Sequence, residues 1–286
     1  VTIVDAGDEQ VHVVETGRPD AAPPLLLTSG LGSAWFDWQP SVELLNAGHR
    51  VIAFDRPGLG LSPAGKAPPS LRREIRLLAD LARWAGPPVV LLAHSMAGFH
   101  VEALARVHPE LVAGMVLVDP SYERRLACPS FRIAAAATGA TRAAGHLLNV
   151  TRAARLLGPL GRRIVMRFTS RRDEPVDGEV VRSVYGRGTV LGTVLAEELA
   201  YREMAADLEA LRGRLPFPPI PLVVLTALGD ASDPEDAQKW VEDHARLAAM
   251  SPRGEHVILP DTLHMVQLDR PDAVADAVAR VLQEAA

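Results

Sequence analysis

Ser95 stands in Ala93-His94-Ser95-Met96-Ala97-Gly98, between the apolar run Val89-Val90-Leu91-Leu92-Ala93 and a helix-forming stretch that begins at Met96. Small residues flank it two places before and two places after. That pattern suits a strand-to-helix turn tight enough to carry a serine Oγ out at the sheet edge, because such a turn is strained and leaves no room for bulky neighbours. The same turn points the next backbone N–H, that of Met96, at the oxygen of a carbonyl under attack, and the following helix adds positive potential at its N-terminus. Nucleophilic attack on a carbonyl carbon is the chemistry such a residue performs. A plainer reading makes Ser95 the N-cap of its helix, since a serine oxygen readily accepts from a free N–H in the first turn.

A serine so placed needs a sheet beneath it. Thr2 to Val4, Val11 to Glu15 and Leu25 to Thr28 read as three strands. A helical stretch from Trp38 to Ala47 leads to the apolar run Val51 to Asp55, and a periodic segment from Leu71 to Trp84 leads to the strand before Ser95. Met96 to His108 then reads as a helix, Met115 to Asp119 as a strand and Leu222 to Thr226 as another. Short apolar strands alternating with helices predict an α/β fold with a mostly parallel sheet covered on both faces. Between Asp119 and Leu222 the alternation stops, replaced by Ala-, Leu- and Arg-rich helical segments broken at Gly158-Pro159 and Glu174-Pro175. This predicts a core of residues 1–120 and 217–286 with a helical cap of residues 121–216 inserted above the sheet. The closing part alternates again, with a helix from Pro234 to Met250, a strand from His256 to Leu259 and an amphipathic helix from Asp272 to Glu284.

Three stretches together resemble the α/β-hydrolase superfamily: the serine turn; Asp55-Arg56-Pro57-Gly58-Leu59-Gly60-Leu61-Ser62; and Leu263-His264-Met265-Val266-Gln267-Leu268-Asp269-Arg270-Pro271. The resemblance spans nearly the whole chain outside the insertion and implies an α/β-hydrolase fold with Ser95 as nucleophile and His264 as general base. It leaves two aspartates to orient His264. Asp230 lies just past a late strand, the commonest acid position of the superfamily, but Ala227 stands where glycine is usual and the stretch to His264 is long. Asp119, before Pro120, occupies the alternative position after the sixth strand and is preferred. The oxyanion donors implied are the N–H groups of Met96 and of Leu31, in Ser29-Gly30-Leu31-Gly32-Ser33. Serine replaces the usual histidine there, which removes a side chain that often steadies the loop. Trp35 is a candidate for the acyl pocket, with core packing as its plainer role. His94, beside the nucleophile, is expected to point away from it.

The implied reaction is hydrolysis of a carboxylic ester, lactone or thioester through an acyl-enzyme, with C–C bond hydrolysis, cofactor-free perhydrolysis or a non-catalytic ligand receptor as alternatives on the same fold. No metal-spaced His/Cys set and no phosphate-cradling glycine loop is found, so neither metal nor cofactor is expected. The 286 residues carry a net charge of −5, which argues against a general nucleic-acid partner. No apolar run reaches the ~18 residues of a membrane span. The one cysteine, Cys128, is read as a buried or half-buried thiol and mildly favours a cytoplasmic location; the sequence opens on Val1 rather than Met, which leaves an upstream leader open.

One anomaly stands out: Arg124 to Arg172 holds 11 arginines and no Asp or Glu. The plain reading is a solvated outer face. Two functional readings compete with it, arginines such as Arg162 and Arg163 that meet an anionic group on an otherwise apolar small-molecule substrate, and a basic amphipathic surface that rests on anionic lipid. Leu147, Leu148, Leu156, Leu157, Ile164, Val165, Met166 and Phe168 suit either a greasy pocket roof or a simple helix core.

Overall fold

The central strands are apolar along their whole length because both of their faces are covered. In β3 (Leu25–Thr28), β5 (Val89–His94) and β7 (Leu222–Ala227) every residue is buried. The computed structural model describes residues 2–123 and 132–285. It contains one eight-stranded sheet in the order β1-β2-β4-β3-β5-β6-β7-β8, where β1 is Thr2–Ala6, β2 Glu9–Gly17, β4 Arg50–Phe54, β6 Val112–Val118 and β8 Gly254–Leu259. The pairs β1·β2 and β2·β4 are antiparallel and all others parallel. This is the α/β-hydrolase architecture that the sequence predicted.

Side chains alternate across the sheet. Leu26, Leu91, Met115 and Val224 pack on one face with α2 (Leu71–Ala85), α3 (Ala97–Val107) and α8 (Pro234–Ala248). Leu27, Val90, Val116 and Val223 pack on the other with α1 (Gln39–Leu45) and α10 (Pro271–Ala285). The chain leaves β3 for β4 on one side and then returns past it to β5 on the other. Open α/β sheets bind ligands at such a reversal, outside the carboxyl ends of the strands. Ser95 follows β5 there, opposite the loop after β3.

Several boundaries move. The sixth strand begins at Val112, earlier than Met115, because Val112 already pairs with Val89. The expected helix from Trp38 opens instead as a 3-10 turn at Trp35–Trp38, before α1.

Four helices are inserted between β6 and β7: α4 (Ile133–Val150), α5 (Ala154–Thr169), α6 (Gly178–Tyr185) and α7 (Gly188–Arg212). Gly158-Pro159 does not break the chain as expected, since α5 runs through it. Gly158 serves close approach instead: a Cβ there would lie 1.7 Å from the Tyr185 carbonyl oxygen, so only glycine lets α5 meet the end of α6. Glu174-Pro175 does fall between two helices. Cys128, Arg124 and Arg125 lie outside the described residues.

Candidate active site

The turn after β5 is strained and held. Ser95 has φ 54°, in the left-handed region that non-glycine residues seldom adopt. Its N–H donates to the Val118 carbonyl at 3.1 Å, and its own carbonyl accepts from Gly98 at 2.9 Å and from Ser121 at 3.1 Å. Surroundings that over-determine a backbone in this way are what allow strain to persist at functional sites. Gly30 lies directly opposite; a Cβ on it would stand 2.9 Å from the Ser95 Cβ. The absence of a side chain there lets the loop after β3 approach the serine.

Asp119 is the second non-glycine residue in the left-handed region, with φ 41°. That geometry ends β6 and aims a buried carboxylate at His264, which follows β8. The His264 Nδ1 lies 2.6 Å from Asp119 Oδ2. The other oxygen, Oδ1, accepts from the Ala227 N–H and from the Trp240 Nε1–H, each at 3.0 Å. An ionised Asp119 can only accept, so the shared proton sits on His264 Nδ1 and the neutral ring keeps its lone pair on Nε2. Burial would lower the His264 pKa, but the hydrogen bond and charge of Asp119, with the charge of Asp230, raise it above 6.5 overall. Burial would likewise raise Asp119, yet its contacts with His264 and the neighbouring donors bring it below the usual carboxylate value.

The structure thus brings His264 and Asp119 together and leaves Asp230 aside. Among the described residues Asp230 has no hydrogen bond or ion pair to His264; it is exposed on the rim of an open hollow of about 450 Å³ that also touches Asp119 and Trp240. Burial, followed by the nearby charge of Asp119, raises its pKa. The reason is local: Asp230 lies in a surface turn past β7, whereas Asp119 points along the sheet edge under the histidine.

Three further side chains carry this geometry. Trp240 and His244, four residues apart on one face of α8, form one unit behind Asp119. Their rings lie 4.4 Å apart, and the His244 ring meets the Thr226 hydroxyl at 2.7 Å and the Pro120 carbonyl at 2.8 Å. Their i, i+4 spacing puts both rings on the same side of the helix. His94 does not point away, as expected, but turns under His264: the rings are 4.6 Å apart and its Nε2–H donates to the His264 carbonyl at 3.1 Å. Burial, then the charge of His264, pushes its pKa down to about 3, so it is a neutral prop for the histidine loop.

On the opposite side of Ser95, the Leu31 and Met96 N–H groups have no protein acceptor among the described residues, and both side chains pack into one apolar cluster. The loop that carries Leu31 is not left unsteadied by the missing histidine. Ser29 accepts from Trp38 Nε1–H at 3.0 Å, and the buried Arg56 guanidinium donates to the Ser29 carbonyl and, at 2.9 Å, to the Gly30 carbonyl. Arg56 is in turn clamped by both oxygens of Glu197 from α7, each at 2.8 Å. Two carbonyls and a carboxylate surround one cation. Trp35, proposed for the acyl pocket, packs its ring edge-on against His12 and Phe36, both at 4.8 Å. Its backbone N–H donates to Asp55, whose carboxylate also holds Leu61 and His12. These contacts assign Trp35 to packing under the loop.

A family model described as the alpha/beta hydrolase family matches residues 25–277. The chain belongs to the alpha/beta hydrolase family. It is a hydrolase of this fold. The (E)-2-((N-methylformamido)methylene)succinate hydrolase of Acinetobacter baylyi is 25% identical over 296 aligned residues, covering 99% of this chain and 97% of that protein. A stretch of 110 residues is 39% identical to "Putative carbamate hydrolase RutD" of Variovorax paradoxus, and this match spans 37% of this chain and 41% of the relative's length. Among solved structures, the enol-lactonase of Burkholderia xenovorans superposes with TM-score 0.66 at 20% identity, covering 99% of this chain and all of the other. A thermophilic esterase of Thermogutta terrifontis superposes with TM-score 0.64 at 23% identity, covering 97% and 94%. At these identities the two structures speak for the alpha/beta hydrolase fold. No helix among the described residues is long and apolar enough to cross a membrane.

Proposed function

We propose that this alpha/beta hydrolase cleaves a carboxylic ester, lactone or thioester through an acyl-enzyme on Ser95. The observation that carries the reading is the pair of left-handed residues, Ser95 and Asp119, at the ends of adjacent parallel strands, with His264 held against the second. His264 Nε2 takes the Ser95 proton as Oγ bonds to the carbonyl carbon, and Asp119 stabilises the imidazolium that forms. The oxyanion is received by the Leu31 and Met96 N–H groups. The C–O or C–S bond breaks as His264 returns the proton to the leaving group; water, activated by the same histidine, then releases the acid and restores Ser95. The relatives named for hydrolysing a substituted succinate and an enol-lactone fit a carbonyl substrate of this kind. The inserted helices act as a cap in this reading, because Ala134 of α4 and Ala200 and Met204 of α7 pack with Met96 and Phe99 beside the serine.

A fluorophosphonate probe tests the reading directly. It should form one covalent adduct, and mass spectrometry should locate it on the peptide that contains Ser95. Folded protein that takes up no probe, or takes it up elsewhere, overturns the proposal.

The pH profile follows from the His264 environment. The base must be neutral, and its pKa is raised, so kcat/KM for a neutral ester should fall as pH is lowered through a midpoint above 6.5. An acid limb centred below 6.5 would count against His264 as the base in its Asp119-bound state.

A further inference from the structure

Helix α5 is inside out. Its buried positions, Ala154, Gly158, Arg162 and Met166, form a narrow i, i+4 stripe, and one of them is an arginine. Arg162 is no substrate-binding candidate: it is consumed by Asp37 at 2.5 Å and Glu174 at 2.8 Å, and lies over the Phe36 and Tyr185 rings. At ~100° per residue the opposite face is centred on Leu156, Leu160 and Ile164, with Leu157 and Phe168 beside them. These are neither pocket roof nor helix core. Leu156 is 71% exposed and Phe168 70%.

Arginines frame that apolar face. Arg163 and Arg167 border it, and Arg155, Arg171 and Arg172 extend the positive charge around it. All five are exposed, and among the described residues none has a carboxylate partner within ion-pair distance. No Asp or Glu occurs between Arg124 and Arg172; the first acids after that run are Asp173 and Glu174, and Glu174 is paired with Arg162. Alongside, an open recess of about 700 Å³ between α5 and α6 is lined by Arg155, Arg163, Arg167, Arg171, Arg172 and Arg182, against the two carboxylates of Asp173 and Glu174.

We infer that α5 is the docking face of this enzyme for an anionic bilayer surface, its apolar side chains entering the interface and its arginines meeting lipid phosphates. The chemistry of the face selects this occupant. A continuous apolar stripe on the outer side of a surface helix is unusual in a monomer and marks an interaction site. Unpaired arginines that flank such a stripe match an interface that is apolar inside and negative at its surface. A second copy of the chain fits poorly, since a two-fold contact would press each arginine row toward the other.

Co-sedimentation with phosphatidylcholine vesicles that contain about one-third phosphatidylglycerol tests the inference. The protein should bind them at low salt, release in ~0.5 M salt as the charges are screened, and ignore pure phosphatidylcholine. Arg163→Gln with Arg167→Gln should weaken binding at least about tenfold, at roughly fivefold per charge. Ile164→Ser with Phe168→Ser should weaken it comparably without changing ester turnover or thermal unfolding, because both side chains are exposed. Absence of binding to the anionic vesicles, or binding that survives both double variants, overturns the inference. So does a dimer in sedimentation equilibrium that Phe168→Ser converts to monomer without any vesicle binding, which would make the face a contact between copies.

Discussion

Ser95→Ala is expected to lower kcat for an activated ester by roughly 10⁴- to 10⁶-fold while leaving the fold in place. The substitution removes one atom, the Oγ, which is the nucleophile of the proposed acyl-enzyme mechanism. The turn itself does not depend on that atom. It is held by the Ser95 N–H on Val118 and by the Ser95 carbonyl, which accepts from Gly98 and Ser121, and alanine retains all of these. Thermal unfolding should therefore shift by no more than a few degrees, which corresponds to about 1 kcal/mol in a chain of this size. A residual rate above that in water should survive, since the oxyanion donors proposed for Leu31 and Met96 are untouched by the substitution. Turnover measured with and without prior probe labelling checks the result; a Ser95→Ala protein that retains more than a few per cent of wild-type activity would remove the acyl-enzyme mechanism.

Asp119→Asn should cost about 10⁴-fold in kcat, for a reason specific to this site. The Asp119 Oδ1 accepts from Ala227 N–H and Trp240 Nε1–H, so an asparagine keeps its carbonyl oxygen on those two donors. Its NH₂ group must then face His264 Nδ1. Two donors cannot meet, and the imidazole is driven to the tautomer that carries its proton on Nε2, with no lone pair there to accept a hydroxyl proton. The charge that raises the His264 pKa disappears at the same time, so the acid limb of the residual activity should move to lower pH. Asp230→Asn provides the contrast. That side chain touches His264 only through its field, and its loss should change kcat by less than about threefold, with a small downward movement of the same limb. Steady-state kinetics of the two variants side by side decide the acid. Comparable losses, or a larger loss for Asp230→Asn, would assign the role to Asp230.

The two acids differ in how they could be read from the chain. Both aspartates follow an apolar strand, and both precede or approach a proline, so the sequence favours Asp119 only through the alanine at 227 and the long stretch from Asp230 to His264. Their difference is a backbone torsion and a register. Asp119 leaves β6 in the left-handed region with its N–H on the Leu225 carbonyl, which brings it level with the end of β7 and under the histidine loop. Asp230 leaves β7 in a turn that faces solvent. The spacing of residues 119, 230 and 264 does not encode that torsion. The buried clamp of Arg56 between the Ser29 and Gly30 carbonyls and Glu197 is illegible for the same reason: its partners are separated by 26, 27 and 141 positions. The apolar residues of α5 misled in another way. Their 3.6-residue periodicity was correct for a helix, but periodicity alone does not say which side meets protein, and here the packed side is Ala154, Gly158 and Met166 around one paired arginine.

What the sequence by itself determined was the alternation of strand and helix, the elbow that carries Ser95 and the interruption by a helical insertion. These rest on short-range preferences, namely apolar runs of strand length, small residues around a strained turn and i, i+3/i+4 patterns, which a chain expresses wherever it is folded. Only the tertiary structure decided that Asp119 rather than Asp230 meets His264, how the loop after β3 is supported, the placing of His94 beneath His264 and the outward face of α5. Each depends on contacts between elements distant in the chain, where burial and the need to satisfy every buried polar group, rather than local propensity, select the partner.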